Sequence, residues 1–191
     1  MSASVRAAAV VIGASAGAIQ ALSRILPALP PDYPVPVLIV VHVPADRSDL
    51  PGLFAAKCRL AVKEAEDKEP VAAGTVYFAA PDYHLLAEGD RTLSLSVDDP
   101  VLYSRPSIDV LFESAADAYG AGLVGVILTG ANEDGARGLA AVVRAGGTAL
   151  VEDPAEAYAS AMPAAALALC PTVRPSSLDA ITAALLRLRA A

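Results

Sequence analysis

The stretch Ala9-Val10-Val11-Ile12-Gly13-Ala14-Ser15-Ala16-Gly17-Ala18-Ile19-Gln20-Ala21-Leu22 decides the fold. Its apolar run, Ala8 to Ile12, is short, β-branched at its heart and bounded by a glycine, as a fully buried strand is. After Gly17, apolar residues fall at Ile19, Leu22, Ile25, Leu26 and Leu29, the spacing of one helix face. The expected helix runs from Ala18 to Leu29, with Pro27 and Pro30-Pro31 ending it. Strand, glycine turn and helix in that order form the opening unit of a parallel α/β sheet.

Outward from this unit the alternation continues. Val35–Val41 is a second continuous, β-branched run, suited to a strand covered on both faces. The middle is less regular. A short helix is expected over Leu50–Ala56 and a weaker strand over Leu60–Glu64. Short strands follow at Thr75–Ala79, His84–Ala87 and Thr92–Val97, with Glu88-Gly89-Asp90 as a hairpin turn. These short strands predict an antiparallel insert that interrupts the parallel sheet. Regular alternation then returns. Ser107 caps a helix through Tyr119, Leu123–Leu128 and Thr148–Val151 are strands, and Gly135–Arg144 is a helix closed by Gly146-Gly147. Helices are also expected at Met162–Leu169 and Leu178–Leu188. The expected fold class is α/β: a doubly wound, mostly parallel sheet flanked by helices with a small antiparallel hairpin insert. With no repeat or low-complexity linker, residues 1–191 are expected to form one domain.

Composition agrees and excludes several functions. Hydrophobic residues make up 55% of the 191 and charged residues 18%, which supports a packed core rather than disorder. With no Trp and three Phe, that core is built from Ala, Val and Leu. A net charge of −7 opposes nucleic-acid binding, which needs a basic stripe. No apolar run is of a kind that would insert in a membrane. Cys58 and Cys170 are far apart and lack zinc-site spacing, so two buried thiols are expected. The mixed charges from Lys63 to Glu69 suit a solvated surface. Arg6, the apolar run after it and Ala14-Ser15-Ala16 resemble a signal peptide, but the run is short and carries Gly13. A buried strand entering a glycine turn accounts for it better, and the expected location is cytoplasmic.

The same turn carries the chemistry. Gly13-Ala14-Ser15-Ala16-Gly17 matches G-x-S-x-G, in which a tight strand-to-helix turn lifts a serine hydroxyl to the carboxyl edge of the sheet. A dinucleotide fingerprint fits poorly, since no glycine lies between Gly13 and Gly17 and no acidic residue ends the second strand. A serine nucleophile needs a base, and the chain has two histidines. His42 ends the second strand at the same edge; His84 lies in the insert beside Tyr83 and Leu85. His42 is the better placed. The carboxylate partner comes from the loop after Leu128, where Glu133 and Asp134 are candidates. Asp134 would alternatively cap the helix that follows it, and Asp153, before Pro154, suits a turn. The order Ser, His, Asp differs from that of α/β-hydrolases.

The blocks VIGASAG (11–17), VVHVP (40–44), AAPDYHLL (79–86), RPSIDVLFES (105–114), LTGANEDGA (128–136) and EDPAEAYASAMP (152–163) occur in the order found in CheB-type protein-glutamate methylesterases. The chain resembles that catalytic domain from about Val10 to Leu188. The resemblance implies Ser15 as nucleophile, His42 as base and then acid, and Asp134 as the orienting carboxylate. Backbone N–H groups of Ala16 and Ala131 would line the oxyanion hole. It implies hydrolysis of γ-glutamyl methyl esters on the cytoplasmic helices of a methylated chemoreceptor, with deamidation of receptor glutamines as companion activity and no metal or organic cofactor. The chain departs from the family at Ala16, where Thr or Ser is usual, and at Ala131-Asn132-Glu133. Family members usually carry an N-terminal receiver domain. Residue 1 lies about a strand's length before the turn, so a stand-alone form is expected, either constitutively active or activated by a separate response regulator. A weakly catalytic signalling or interaction module and a small-ester serine hydrolase are the alternative functions.

Overall fold

A computed structural model describes residues 5–42 and 49–191. The strands are β1 (Val5–Ala7), β2 (Ala9–Ala14), β3 (Val37–Val41), β4 (Ala61–Glu64), β5 (Thr75–Phe78), β6 (His84–Ala87), β7 (Leu93–Ser96), β8 (Leu123–Ile127), β9 (Thr148–Glu152), β10 (Pro175–Ser176) and β11 (Leu188–Ala190). The helices are α1 (Ala18–Ile25), α2 (Leu50–Ala55), α3 (Ile108–Tyr119), α4 (Ala136–Arg144), α5 (Ala161–Leu169) and α6 (Leu178–Leu186). Seven strands form one sheet in the order β10-β9-β8-β2-β3-β5-β4, with every pairing parallel.

The alternation of side chains along β2 and β3 divides the core into two layers. Val10, Ile12, Val37 and Ile39 face α1 and α6, while Ala9, Val11, Leu38 and Val40 face α3, α4 and α5. Strands β2 and β3 are buried throughout, which is why their sequence is a continuous apolar run. Helix α1 follows β2 onto one face of the sheet and α4 follows β8 onto the other. The connections therefore diverge between these neighbouring strands, and such a switch point opens a crevice at the carboxyl edge of an α/β sheet.

The doubly wound sheet agrees with the sequence, and several expected boundaries are corrected. The α-helical part of the first helix stops at Ile25 and continues as a 3-10 turn over Leu26–Ala28, because Pro27 lacks the N–H needed to extend the ladder. Thr75–Phe78 belongs to the parallel sheet, between β3 and β4, so the antiparallel insert is the β6–β7 hairpin alone. Its turn is closed by the Arg91 N–H donating to Glu88 O and the Glu88 N–H donating to Thr92 O, both at 2.9 Å. The last helix ends at Leu186, and β11 pairs with β1 in a separate two-stranded parallel ladder. These two strands and the two-residue β10 are too short for periodicity to reveal. Cys170 is buried, whereas Cys58 is only half-buried and departs from expectation. Lys63 lies on the surface with ion pairs to Glu66 and Glu69, in keeping with a solvated patch. Among the described residues, no helix is long and apolar enough to cross a membrane.

Candidate active site at the carboxyl edge

Ser15, His42 and Asp134 follow β2, β3 and β8, the three central strands. The register continues past the strand ends: the His42 N–H donates to Ala14 O at 3.1 Å and the Ser15 N–H donates to Thr129 O at 2.9 Å. Ser15 and His42 thus sit side by side at the sheet edge, on chains about 5 Å apart. Val43 and Pro44, from the same sequence block as His42, lie outside the described residues.

His42 and Asp134 are in direct contact, with Nε2 of the imidazole 2.7 Å from Asp134 Oδ2. Asp134 is fully buried and accepts three more hydrogen bonds. Ile108 N–H reaches Oδ2 at 2.7 Å, and Asp109 N–H and the Ser107 hydroxyl reach Oδ1 at 3.0 and 2.9 Å. Burial alone would push this carboxyl up; the hydrogen bond from His42 and the N–H groups of Asp109 and Ile108 outweigh it and hold the group below its ordinary range. The two N–H donors are the first of α3, where the helix dipole also favours an anion. Asp134 therefore caps a helix, but α3 and not the α4 that follows it. The competing candidate Glu133 is exposed.

The Ser15 turn is tied down differently. Gly17 has a left-handed backbone (φ 86°), and a Cβ there would lie 2.6 Å from Cβ of Tyr158. Thr129 clamps the turn, its hydroxyl donating to Ala16 O at 2.7 Å and accepting from the Ala159 N–H at 2.8 Å. Buried Glu152 in turn accepts the Thr129 N–H at 2.7 Å. Burial pushes the Glu152 carboxyl up, the Thr129 N–H opposes this, and Glu156 adds to the rise. Among the described residues, the N–H groups of Ala16 and Ala131 donate to no acceptor and the Ser15 hydroxyl makes no hydrogen bond. A cleft of about 460 Å³ opens beside Ser15, lined by Ala16 to Gln20, Val41 and Tyr158.

The other candidates from the sequence are structural. His84 is buried and both ring nitrogens are engaged: Nδ1 accepts the Ser107 N–H and Nε2 donates to Asp99 O, each at 3.1 Å. Asp153 accepts the Ala155 N–H at 2.9 Å in a turn. Thr129, Glu152 and the donor role of Ser107 toward Asp134 escape sequence reasoning, because each acts through a partner more than twenty residues away. The one local signal was that Ser107 precedes a helix.

Fold and edge together define an α/β domain whose histidine–carboxylate pair lies at the carboxyl ends of its central strands. Residues 10–185 match the family model described as CheB methylesterase. A Leptospira interrogans protein, named for protein-glutamate methylesterase and protein-glutamine glutaminase activities, is 47% identical over 182 residues, covering 94% of both chains. A similarly named Anaeromyxobacter dehalogenans protein is 42% identical over 94% of this chain and 53% of its own length. The solved structure of the Thermotoga maritima CheB methylesterase catalytic domain superposes with a TM-score of 0.88 at 34% identity, over 95% of this chain and 98% of that one. The chain belongs to the CheB methylesterase family, and its enzyme class is hydrolase.

Proposed function

We propose that residues 1–191 act as one domain that hydrolyses γ-glutamyl methyl esters on chemoreceptor-type proteins in the cytoplasm, through Ser15, His42 and Asp134. The observation that carries this reading is the 2.7 Å contact between His42 Nε2 and a buried, four-fold hydrogen-bonded Asp134 beside the serine turn. An ionised Asp134 only accepts, so Nε2 keeps its proton and Nδ1 is left as the basic nitrogen of the imidazole. Ser15 Oγ attacks the ester carbonyl carbon while its proton passes to Nδ1. The imidazolium formed is stabilised by Asp134. The carbonyl oxygen gains negative charge and is held by the N–H groups of Ala16 and Ala131. Collapse breaks the ester C–O bond, His42 protonates the departing oxygen, and methanol leaves an acyl-serine. Water, deprotonated by His42, then attacks the acyl carbon; the proton returns to Ser15 and a glutamate carboxylate is released. A glutamine side chain follows the same course with ammonia leaving. None of these steps calls for a metal or organic cofactor. A separate response regulator is the proposed activator.

The test is methanol release from a methylated receptor cytoplasmic fragment by the wild type and by Ser15→Ala. Removing a triad nucleophile costs about 10⁶-fold in rate, so release by the wild type and none by the variant is the expected result. Equal release by both proteins would remove Ser15 from the mechanism.

A further inference from the structure

Asp109, in the first turn of α3, is a buried carboxylate (1% exposed) that the mechanism above does not use. Its Oδ1 accepts the N–H groups of Gly135 and Gly138, at 2.9 and 2.7 Å, at the start of α4. Asp134, immediately before α4, caps α3, and Asp109, within α3, caps α4. The two helices exchange caps. Close approach makes the exchange possible: a Cβ at Gly138 would lie 2.6 Å from Cβ of Phe112 and 3.1 Å from Cα of Asp109. The Gly135 N–H belongs to the peptide unit that joins it to Asp134, so fixing it restrains the carboxylate that meets His42. Ile108 packs into the same junction, its Cγ2 2.6 Å from where a Gly135 Cβ would stand.

We propose that Asp109 is a positioning residue of the hydrolytic site, setting the place of Asp134 by holding the Gly135 and Gly138 N–H groups. This rests on the reading of Ser15, His42 and Asp134 as a triad. The working part of Asp109 is one acceptor oxygen. Its Oδ2 is buried without a hydrogen-bond partner among the described residues, and the nearest cation, Arg137 Nε, is 3.8 Å away on a largely exposed side chain. Burial pushes the carboxyl up against the Gly138 N–H; the charges of Asp134 and Glu113 add to the rise and Arg137 opposes it. An amide, which keeps one acceptor oxygen, is therefore expected to serve in its place, whereas a methyl group is not.

The test is covalent labelling of Ser15 in the full chain by a fluorophosphonate, followed by intact mass, with maximal labelling rate and half-saturation separated. A displacement of about 1 Å at a reacting group costs on the order of 100-fold, and that fall in maximal rate is expected for Asp109→Ala with half-saturation unchanged. Asp109→Asn recovers most of the loss. Thermal denaturation in parallel shows whether each variant is folded at the assay temperature, and Asp109→Leu, which matches the carboxylate in shape but has no acceptor, replaces the alanine variant if that one does not fold. A folded alanine or leucine variant that labels at the wild-type rate overturns the proposal, as does an asparagine variant as slow as alanine. A wild type that is not labelled at Ser15 removes the triad reading and this inference together; wild-type labelling with an insensitive Asp109→Ala removes the inference alone.

Discussion

Asp134 and Ser15 follow neighbouring parallel strands, yet their surroundings differ. Asp134 is 0% exposed and both of its oxygens are doubly engaged, with donors drawn from a strand end and from the first turn of α3. Ser15 is half-buried, its hydroxyl has no partner among the described residues, and an open cleft runs beside it. Its turn is held by backbone bonds and by one threonine hydroxyl. The acid side is thus fixed from several directions before a substrate arrives. On the serine side, among the described residues, the Ser15 hydroxyl and the N–H groups of Ala16 and Ala131 have no hydrogen-bond partner. Preorganised charge and open donors are what hydrolysis through a charged intermediate requires.

The most severe way to break this contrast is Asp134→Asn. The amide supplies one acceptor oxygen where the carboxylate supplied two, so its NH₂ faces an N–H of α3 in either orientation, together with His42 Nε2 in one and the Ser107 hydroxyl in the other. Under the proposed mechanism a fall of about 10⁴ in kcat is expected, as for loss of the carboxylate in a serine triad, measured on the methylated receptor fragment with folding checked by circular dichroism. Thr129→Val tests the serine side. It leaves the Ala159 N–H without its acceptor and frees Ala16 O, at a cost of about 1–3 kcal/mol in stability, read from urea denaturation. Its loss of activity is expected to be far smaller than that of Asp134→Asn. Gly17→Ala forces a side chain into a left-handed backbone against Tyr158 and is expected to cost about 1–3 kcal/mol, again by urea denaturation.

The finest test separates the two exchanged carboxylates by pH. Asp109 is held above its ordinary value of 3.8, chiefly by burial, so its contribution to stability is full below that value and is lost as pH rises through the folded one. Asp134 is held below, so its contribution is present above 3.8 and is lost as pH falls through the folded value. The melting temperature of Asp109→Asn, relative to wild type, is therefore expected to climb as pH rises from about 4 towards neutrality. A flat difference would show that burial does not govern this carboxyl.

Local patterns made much of the molecule legible. The apolar runs Ala8–Ile12 and Val35–Val41, the helical spacing after Gly17 and the cap at Ser107 depend on neighbours in the chain; they appear as β2 (Ala9–Ala14), β3 (Val37–Val41), α1 (Ala18–Ile25, four residues shorter than expected) and the Ser107 cap of α3. The scarcity of histidine drew attention to His42, and the loop after Leu128 narrowed the acid to two residues. Three features depend on partners distant in sequence. Thr75–Phe78 has the composition of any short strand, and its place between β3 and β4 is a matter of which edges meet. Asp134 before a helix has the local signature of that helix's cap; only the packing of α3 against α4 turns its carboxylate to the other helix and to His42. Asp109, in the middle of an apolar segment, has no local signature, since its acceptors' donors lie 26 and 29 residues away. The amino-acid sequence by itself determined the longer strands, the helices to within a few residues at their ends, and the three residue types at the sheet edge, because periodicity and turn chemistry act over a few residues. The tertiary structure decided which carboxylate meets the imidazole and what holds it there, because hydrogen bonds between helices follow from packing, which joins groups that the chain keeps apart.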